Sequence, residues 1–445
     1  MRRLAALLLA LLLALPAAAQ VRTDAAGLRE LAARLLDQGD AAEARDLARA
    51  LVARDARDVA GLILLARAEL ALGDAGAALE AARAAHGAAT GTARYVAARL
   101  AARAHAERGE WTRAQIWLRR ARADAPDRAA VESLARDYRV AAERNPLRVT
   151  LSFGAAPSSN VNGGSASSTI TLPGLPFEFE LSGDARALSG FRLSAGVNLS
   201  YRLRAGAASA TFLEVQASGR TYVLSAQAQE QAPDARGSDY ADVSVAYSLV
   251  QRWGPAAAPR SVSASLGQTW YDGDPYLRFL RLSADRGFAL GARDRLDLSG
   301  FLERQERIGE DVSLSGGGRL AWMRALASRD RLGLSAAWRD SPDAIPDVSY
   351  AGATLGASYG RGALVAGLRL GASVEGEWRG YDASRYAEDG REDWRATARA
   401  TLGLPRLDLY GFEPTVTVEA SRTWSDVSLY DRDALTVDLG FRSSF

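Results

Sequence analysis

Two histidines and a pair of aspartates are the residues whose types and spacing could do chemistry. An imidazole is the usual general base near neutral pH, but we expect surface or packing roles for His86 and His105 in their Ala-rich surroundings. Asp272 and Asp274, in WYDGDPY, could bind a cation, although acids around a Gly are also typical of a solvated hairpin tip. The chain has no Cys and no nucleotide-binding fingerprint. The sequence therefore predicts no enzyme, no metal and no cofactor.

The first 19 residues have the pattern of a secretory signal peptide. Arg2 and Arg3 precede a short apolar run, and Pro16 and three alanines follow it, so we predict a signal peptide over residues 1–19 and cleavage before Gln20. No later apolar run is long enough for a membrane-spanning helix. The 55 basic residues, all of them Arg, nearly balance 53 acidic ones, which predicts no nucleic-acid partner. If a membrane holds this protein, strands must cross it.

Residues 20–146 repeat at a spacing near 34 residues. Gly39, Gly73 and Gly109 stand 34 and 36 residues apart, which is the spacing of tetratricopeptide repeats, each a pair of helices. Small residues and a terminating Pro fall where that pattern needs them: Ala44, Ala78, Ala114, Ala121 and Pro126. The predicted repeats lie near 25–58, 59–92 and 95–128. We expect a capping helix between the last repeat and Pro146; an Ala-rich bundle without repeats is the alternative.

The first helix of each tetratricopeptide repeat lines a concave groove, and that geometry predicts a binding surface. The predicted lining residues are Arg29, Leu36, Ile63, Arg67, Leu70, Val96, Arg99 and Arg103. Arg forks beside aliphatic patches could hold an extended or acidic segment of another protein. A solvated Arg face in an Arg-rich protein is the competing interpretation.

The carboxyl-terminal domain, 147–445, alternates apolar and polar residues almost throughout. Phe191 and Leu193 share one face of a strand, while Arg192 and Ser194 share the other. The predicted strands lie near 147–155, 187–204, 209–223, 238–253, 259–271, 275–290, 294–307, 313–326, 330–340, 349–361, 366–381, 391–404, 413–425 and 433–445. Most are long enough to cross a bilayer when tilted, whereas the strands of a soluble sandwich are shorter.

The predicted fold is therefore a helical solenoid followed by a 14-stranded antiparallel transmembrane β-barrel. A closed sheet with an apolar outside and a charged inside satisfies every backbone group in lipid. Tryptophans near the strand ends fit an interfacial girdle: Trp253, Trp270, Trp322, Trp338, Trp378, Trp394 and Trp424. The longest connections, 156–186 and 224–237, should lie outside, with short connections such as GRG inside. An even strand count places both termini, and the helical domain, in the periplasm.

The chain ends as an apolar-alternating strand. Leu439, Phe441 and the terminal Phe445 share one phase, although free termini are usually frayed and polar. Such endings are similar to the carboxyl-terminal signal that barrel-assembly machinery reads on outer-membrane proteins. An ordinary strand-end aromatic is the alternative.

A signal peptide, a few tetratricopeptide repeats and a barrel of about fourteen strands together resemble the surface lipoprotein assembly modifier (Slam) family. Within GAAPSSNVNGGS, after the first predicted strand, Pro157, Asn160, Val161 and Asn162 are similar to the family's Pro-x-x-Asn-hydrophobic-Asn signature. The second repeat matches the consensus weakly.

The resemblance implies a monomeric outer-membrane translocon that helps surface lipoproteins or secreted haem and iron carriers to leave the cell. The implied partners are the client protein, periplasmic chaperones, the barrel-assembly machinery and outer-membrane lipids. Two alternatives stay open from the residues. One is a polysaccharide export porin with tetratricopeptide repeats, for which an acidic lumen suits cationic sugars. The other is a passive solute channel.

Overall fold

A computed structural model describes the chain from residue 24 to residue 443, apart from short gaps. The described ranges are 24–171, 176–309, 312–343, 345, 348–387, 389–407 and 412–443. The predicted signal peptide, residues 1–19, lies outside them. The chain divides into two compact units between Ala142 and Glu143.

The amino-terminal unit is an array of helices. The helices are α1 (Ala25–Gln38), α2 (Ala41–Arg54), α3 (Val59–Ala71), α4 (Ala75–Ala88), α5 (Gly91–Glu107), α6 (Trp111–Ala123) and α7 (Arg128–Arg144). Each of the first five contacts the next, and α3 also contacts both α1 and α5, as in a stack of helix pairs. The predicted repeats are confirmed in outline, although the third begins at Gly91 rather than residue 95. None of the described helices is long and apolar enough to cross a membrane.

Three glycines make the turns inside the three helix pairs. Gly39, Gly73 and Gly109 have φ angles of 96°, 82° and 72°, a left-handed conformation that favours Gly at a helix end. The predicted small residues are all buried between helices: Ala44, Ala78, Ala114 and Ala121. Because a methyl side chain takes up little space, the helices can approach closely at these positions.

The carboxyl-terminal unit is a closed antiparallel barrel of fourteen strands, as predicted. Its strands are β1 (Leu147–Ser158), β4 (Gly190–Ala205), β5 (Ser209–Leu224), β6 (Asp242–Trp253), β7 (Arg260–Tyr271), β8 (Asp274–Ala289), β9 (Asp294–Arg307), β10 (Val312–Ala325), β11 (Arg331–Ser341), β12 (Tyr350–Gly360), β13 (Arg369–Tyr381), β14 (Arg391–Gly403), β15 (Phe412–Ser425) and β16 (Arg432–Ser443). Two further strands, β2 (Thr169–Thr171) and β3 (Glu178–Glu180), pair with each other in a separate two-stranded sheet that is not part of the barrel.

The two faces of the barrel wall differ in chemistry. Large apolar side chains on the outer face are solvent-accessible, including Leu193, Leu266, Leu314, Leu355 and Leu439. Ion pairs on the inner face reach over an intervening strand: Arg192 of β4 binds Asp438 of β16 across β1, and Arg339 of β11 binds Glu303 of β9 across β10. The predicted alternation between an apolar outside and a charged lumen is therefore confirmed.

Some strand limits and connections differ from the prediction. Strand β1 continues to Ser158, so Pro157 lies within the strand and not after it. The inner connection predicted as GRG is longer and covers 361–368, because β13 begins at Arg369. The sequence also did not predict the β2–β3 pair or a short helix α8 (Ala226–Gln231). These elements lie in the two longest connections, 159–189 and 225–241, which define what we call the loop-rich end of the barrel.

Exposed tryptophans lie close to the rims of the barrel wall. Trp338, Trp394 and Trp424 are exposed near the loop-rich ends of their strands, and Trp394 lies opposite Trp424 on the neighbouring strand. Trp253 and Trp322 lie near the other rim. This arrangement fits the aromatic girdle that the sequence predicts.

The junction of β1 with β16 differs from the other junctions. Among the described residues these strands are in register at Ala155 opposite Leu439 and at Ser158 opposite Thr436. By contrast, β1 is matched to β4 along its whole length, and β16 is matched to β15 along its whole length. The barrel is thus closed by its most sparsely paired junction.

Candidate functional site

A partly exposed stripe runs along the first helices of the second and third repeats. Ile63 and Arg67 lie on α3, and Val96, Arg99 and Arg103 lie on α5, all at least partly exposed. Their three- and four-residue spacing puts them on one face of each helix. We call these five residues the repeat stripe. It contains five of the eight residues predicted to bind another protein.

The arginines of the predicted groove are paired with acids. Arg67 Nη2 lies 3.4 Å from Asp37, Arg99 Nη2 lies 2.8 Å from Asp137, and Arg103 Nε lies 2.9 Å from Glu107. All these groups are partly exposed, and exposed pairs stabilise a fold by less than about 1 kcal/mol. An acidic segment could therefore replace these carboxylates at small cost.

Arg29 also pairs with an acid, but its partner, Asp58, is buried. Its Nε and Nη2 donate to Asp58 at 3.1 and 2.9 Å, and Asp58 is the amino-terminal cap of α3, accepting from Gly61 N–H. Burial opposes ionisation of Asp58, but the hydrogen bonds from Arg29 and Gly61 outweigh it and lower its pKa below 3.8. Arg29 therefore holds the first repeat against the second.

Two predicted groove residues belong to the packing of the unit. Leu70 is only 5% exposed, within the main hydrophobic core, and Leu36 packs on the cluster of Ala32, Ala48 and Leu64. The prediction that Leu70 lines a groove is wrong, because the last turn of α3 directs this side chain inward. Periodicity identifies an apolar position on a helix but not which neighbour covers it.

The two histidines have packing partners. The Nδ1 atom of buried His105 lies 2.6 Å from a Glu110 carboxylate oxygen, and His86 meets the Trp117 ring edge-on, with centroids 5.0 Å apart. Burial lowers the pKa of His105 below 6.5, although Glu110 opposes the shift. The hydrogen bonds from His105 and Arg113 lower the pKa of Glu110 to about 2. A neutral imidazole donating to an ionised Glu110 satisfies both groups.

Acid is expected to destabilise the helical unit through His105. Because its folded pKa lies below 6.5, the unfolded chain binds the proton first, so stability is full above pH 6.5 and falls as the pH drops. One such group changes the unfolding free energy by at most about 1.4 kcal/mol per pH unit. Glu110 adds no slope until the pH falls below 4.5.

This prediction is checked by thermal unfolding followed by far-ultraviolet circular dichroism between about pH 7.5 and pH 5. His105→Gln should flatten the pH profile. His86→Gln is the matched control, because burial also lowers the pKa of His86. Removing His86 should leave the part of the pH dependence of stability that comes from His105. A His105→Gln profile as steep as that of the parent protein would contradict the burial argument.

The residues of the motif that resembles the Slam signature form hydrogen bonds within the first long connection. Asn162 Nδ2 donates to the carbonyls of Asp184 and Arg186 at 2.6 and 2.9 Å, and its Oδ1 accepts from Leu188 N–H at 2.9 Å. Val161 is buried in an apolar cluster with Leu188. The motif therefore joins the two ends of the connection into one folded structure.

Asn160 and Pro157, the other members of the motif, lie beside the barrel junction. Asn160 Nδ2 donates to the carbonyl of Gly164 at 2.9 Å and to that of Asp433, on β16, at 3.3 Å. Pro157 lies in β1 opposite Phe191. The motif thus ties the first connection to both sides of the β1–β16 junction.

The lumen wall carries charges of both signs. The sequence predicted charged residues on this inner face but not which of them form ion pairs. Glu303 is buried, and its carboxylate lies 2.5 Å from Arg281 and 3.6 Å from Arg339. Elsewhere on the wall, Arg252 lies 2.7 Å from Glu214. The polar phase of the strands signals such positions, but only the register identifies partners.

The sequence also predicted residues of a barrel-assembly signal and a pair of aspartates that could bind a cation. Leu439 and Phe441 are exposed on the outer face of β16, and Phe445 lies outside the described residues. Asp272 and Asp274 flank a tight turn between β7 and β8. In the part of the chain that the structure describes, no cluster of His, Asp and Glu is suited to hold a metal ion.

Comparison with known proteins finds solved structures that are similar to this chain in fold. The helical region is similar to the Yersinia enterocolitica type III secretion chaperone SycD in complex with a peptide of the translocator YopD. They are 18% identical over 28% of this chain and 94% of the chaperone, with a TM-score of 0.25. No family model and no curated protein matches the chain.

The barrel is similar to solved outer-membrane proteins. A Pseudomonas aeruginosa FadL homologue is 12% identical over 68% of this chain and 92% of its own, with a TM-score of 0.36. Acinetobacter baumannii OccAB1 is 9% identical over 67% and 97%, also with a TM-score of 0.36. Likeness at this level concerns the fold alone, so the resemblance to the Slam family remains a prediction from sequence.

Proposed function

We propose that this protein is an outer-membrane translocon that assists the export or surface display of client proteins. The observation that supports this proposal most is the combination, in one chain, of a closed barrel with a charged lumen and a helical-repeat unit whose Arg stripe pairs with solvent-exposed acids. A passive channel needs only the barrel. A repeat unit adds a surface for an extended polypeptide.

The proposed division of labour follows from the chemistry of each unit. The repeat stripe offers the exposed parts of Ile63 and Val96, which also pack on the core of the unit. They lie beside guanidinium groups whose acidic partners are exposed. A client segment with apolar and acidic residues fits this surface. The apolar outer wall supports an outer-membrane location for the barrel. The proposal puts the repeat unit in the periplasm and includes no catalytic step. The protein acts as a monomer, with periplasmic chaperones as further partners.

The alternatives predict other features of the lumen. Export of a cationic polysaccharide favours an acidic lumen, whereas here buried Glu303 is flanked by Arg281 and Arg339. A passive solute channel would work without the repeat unit. These two readings are therefore separated from the translocon by removing or altering the repeats.

Deleting the gene and restoring variants tests the proposal. We expect deletion to remove one or a few proteins from the cell surface, and the full chain to restore them. Reversing two charges of the repeat stripe, with Arg99→Glu and Arg103→Glu, should lower the surface level of the client several-fold while the barrel still assembles. Arg128→Glu is the matched control, because Arg128 is almost fully exposed on α7 and also pairs with an acid, Glu132.

Quantitative mass spectrometry of surface-labelled cells measures the result, and planar-bilayer conductance measures solute passage. An unchanged surface proteome after deletion, together with solute-selective conductance, would replace the translocon by a passive channel. Loss of surface polysaccharide alone would favour the export porin.

A further inference from the structure

A cavity of about 380 Å³ lies in the lumen at the loop-rich end. Its wall is formed by the polar faces of β13, β14, β15 and β16, and the first long connection contributes Asn160 and Gly163. Its charged lining residues are Glu377, Arg379, Arg391, Asp393, Arg395 and Arg432. We call this cavity the rim pocket.

The rim pocket has an excess of two positive charges. Arg379 Nε donates to Glu377 at 2.7 Å, and Arg391 Nε lies 3.1 Å from Asp393, so these four residues form two neutral pairs. The two remaining charges of the pocket are the guanidinium groups of Arg395 and Arg432.

Neither of these two guanidinium groups has an acidic partner within 4 Å among the described residues. Arg395 Nη2 makes a long 3.4 Å hydrogen bond to the Ser421 hydroxyl, and Arg432 has no ion pair within the part of the chain that the structure describes. Both side chains are exposed to the lumen. Guanidinium groups are the preferred protein partners of phosphate and carboxylate because their paired N–H donors match two oxygens.

One wall of the pocket is rigid. Arg391 is only 4% exposed, and its guanidinium carbon lies 3.8 Å from the centre of the Tyr381 ring and 3.5 Å from that of Tyr430. Cation–π contacts on both sides fix this residue between β13 and the connection before β16. A fixed wall reduces the entropy lost when a ligand binds.

The first long connection adds a polar atom to the pocket. Asn160 Oδ1 is buried and has no hydrogen-bond partner among the residues that the structure describes, while its Nδ2 already donates to two backbone carbonyls. A buried acceptor without a partner destabilises the empty pocket, because it has lost its hydrogen bonds to water. A hydroxyl of a bound ligand, or a water held by the ligand, would satisfy it.

We propose that the rim pocket binds a small multivalent anion that carries phosphate or carboxylate groups and at least one hydroxyl or protonated oxygen. Two unpaired guanidinium groups match two or more negative charges, and the volume lies within the range of small-ligand pockets, about 300–1,000 Å³. The pocket opens to the lumen and not to the lipid-facing wall, so a soluble anion is the expected occupant. The inference goes beyond the proposed export function and does not depend on it.

Binding is tested by calorimetry on the full chain in detergent, with pyrophosphate and citrate as separate probes at constant ionic strength. Ionic strength is fixed because salt screens charge interactions in the lumen. Arg395→Gln combined with Arg432→Gln should weaken binding at least about tenfold, since charged hydrogen bonds are lost from both groups.

The matched control is Arg148→Gln combined with Arg319→Gln. These arginines also face the lumen, on β1 and β10, and they do not line the rim pocket. The control should keep the affinity within about twofold, because it removes the same total charge from other places. Heat-modifiable gel mobility of each variant reports whether the barrel has folded.

Each outcome decides the proposal. Stronger binding of pyrophosphate assigns a phosphate ligand, and stronger binding of citrate assigns a carboxylate ligand, provided that only the rim-pocket variant loses it. Equal losses in the two double variants would show diffuse attraction by the lumen and overturn the site. Absence of binding of both probes to the folded parent protein at millimolar concentration would overturn it too. If the rim-pocket variant fails to fold, Arg432→Lys replaces it: the charge remains without the fork, so affinity should fall below that of the parent protein, and an unchanged affinity would overturn the site.

Discussion

The Leu355→Arg variant is expected to destabilise the barrel in a bilayer by about 2–4 kcal/mol, the cost of a charge on the lipid-facing midplane. Leu355 lies in the middle of β12 and is 68% exposed on the outer face. In a water-soluble sheet the same substitution would be almost neutral, because an exposed Leu gains little from its surroundings. The size of the effect therefore reports what surrounds the barrel.

The control is Thr354→Arg, one position along the same strand. Thr354 is on the lumen face, directly opposite Glu377 of β13, so an introduced guanidinium meets water and a carboxylate. We expect a change within about 0.5 kcal/mol. Urea unfolding of both variants in lipid vesicles, followed by heat-modifiable gel mobility, measures the difference. Equal, small effects in both variants would place the outer wall in water and remove the basis of the outer-membrane proposal.

Local sequence patterns were sufficient to predict the helix pairs of the repeat unit and the strands of the barrel, but not the short elements in the long connections. Alternation predicts every barrel strand because the period of two is repeated within each strand, as at Phe191 and Leu193. The glycines at 39, 73 and 109 predict the helix turns because Gly is the residue that adopts a positive φ at a helix end without steric cost. A pattern of this kind needs no information from distant parts of the chain.

Contacts between distant residues were beyond such patterns. Arg192 and Asp438 are separated by 246 positions and meet only because the barrel closes. The role of Asn162 depends on backbone groups more than twenty residues away. Leu70 shows the same limit within one helix, since its apolar character fits both a groove and a core. The candidate sites therefore required register and packing as well as composition.

The β1–β16 junction is expected to be the first part of the barrel wall to open. Ser159 N–H donates to the Leu435 carbonyl, and in an antiparallel pair alternate residues face the same neighbour. Pro157 therefore faces β16, and it has no N–H to donate. The loss of this ladder bond accounts for the gap between the two register positions, at Ala155 and Ser158.

Hydrogen exchange in lipid measures this weakness. Amides of β1 and β16 should exchange faster than those of β6 and β7, which are matched along their length, because exchange follows local opening.

A disulfide across the junction provides a second test. The chain has no Cys, so a disulfide can be introduced without side reactions. Ser158→Cys with Thr436→Cys joins lumen-facing partners across the junction.

Oxidation of that pair is expected to raise the unfolding free energy by about 3–5 kcal/mol, because it closes a very long loop, and to slow exchange in β1 and β16. The control pair, Ser248→Cys with Ser265→Cys, joins opposed lumen serines whose hydroxyls are 2.8 Å apart on β6 and β7. It should leave exchange in those strands almost unchanged, since their ladder is already complete. If exchange in β1 and β16 is as slow as in β6 and β7 before oxidation, the junction is not weak, and Pro157 costs the barrel nothing measurable.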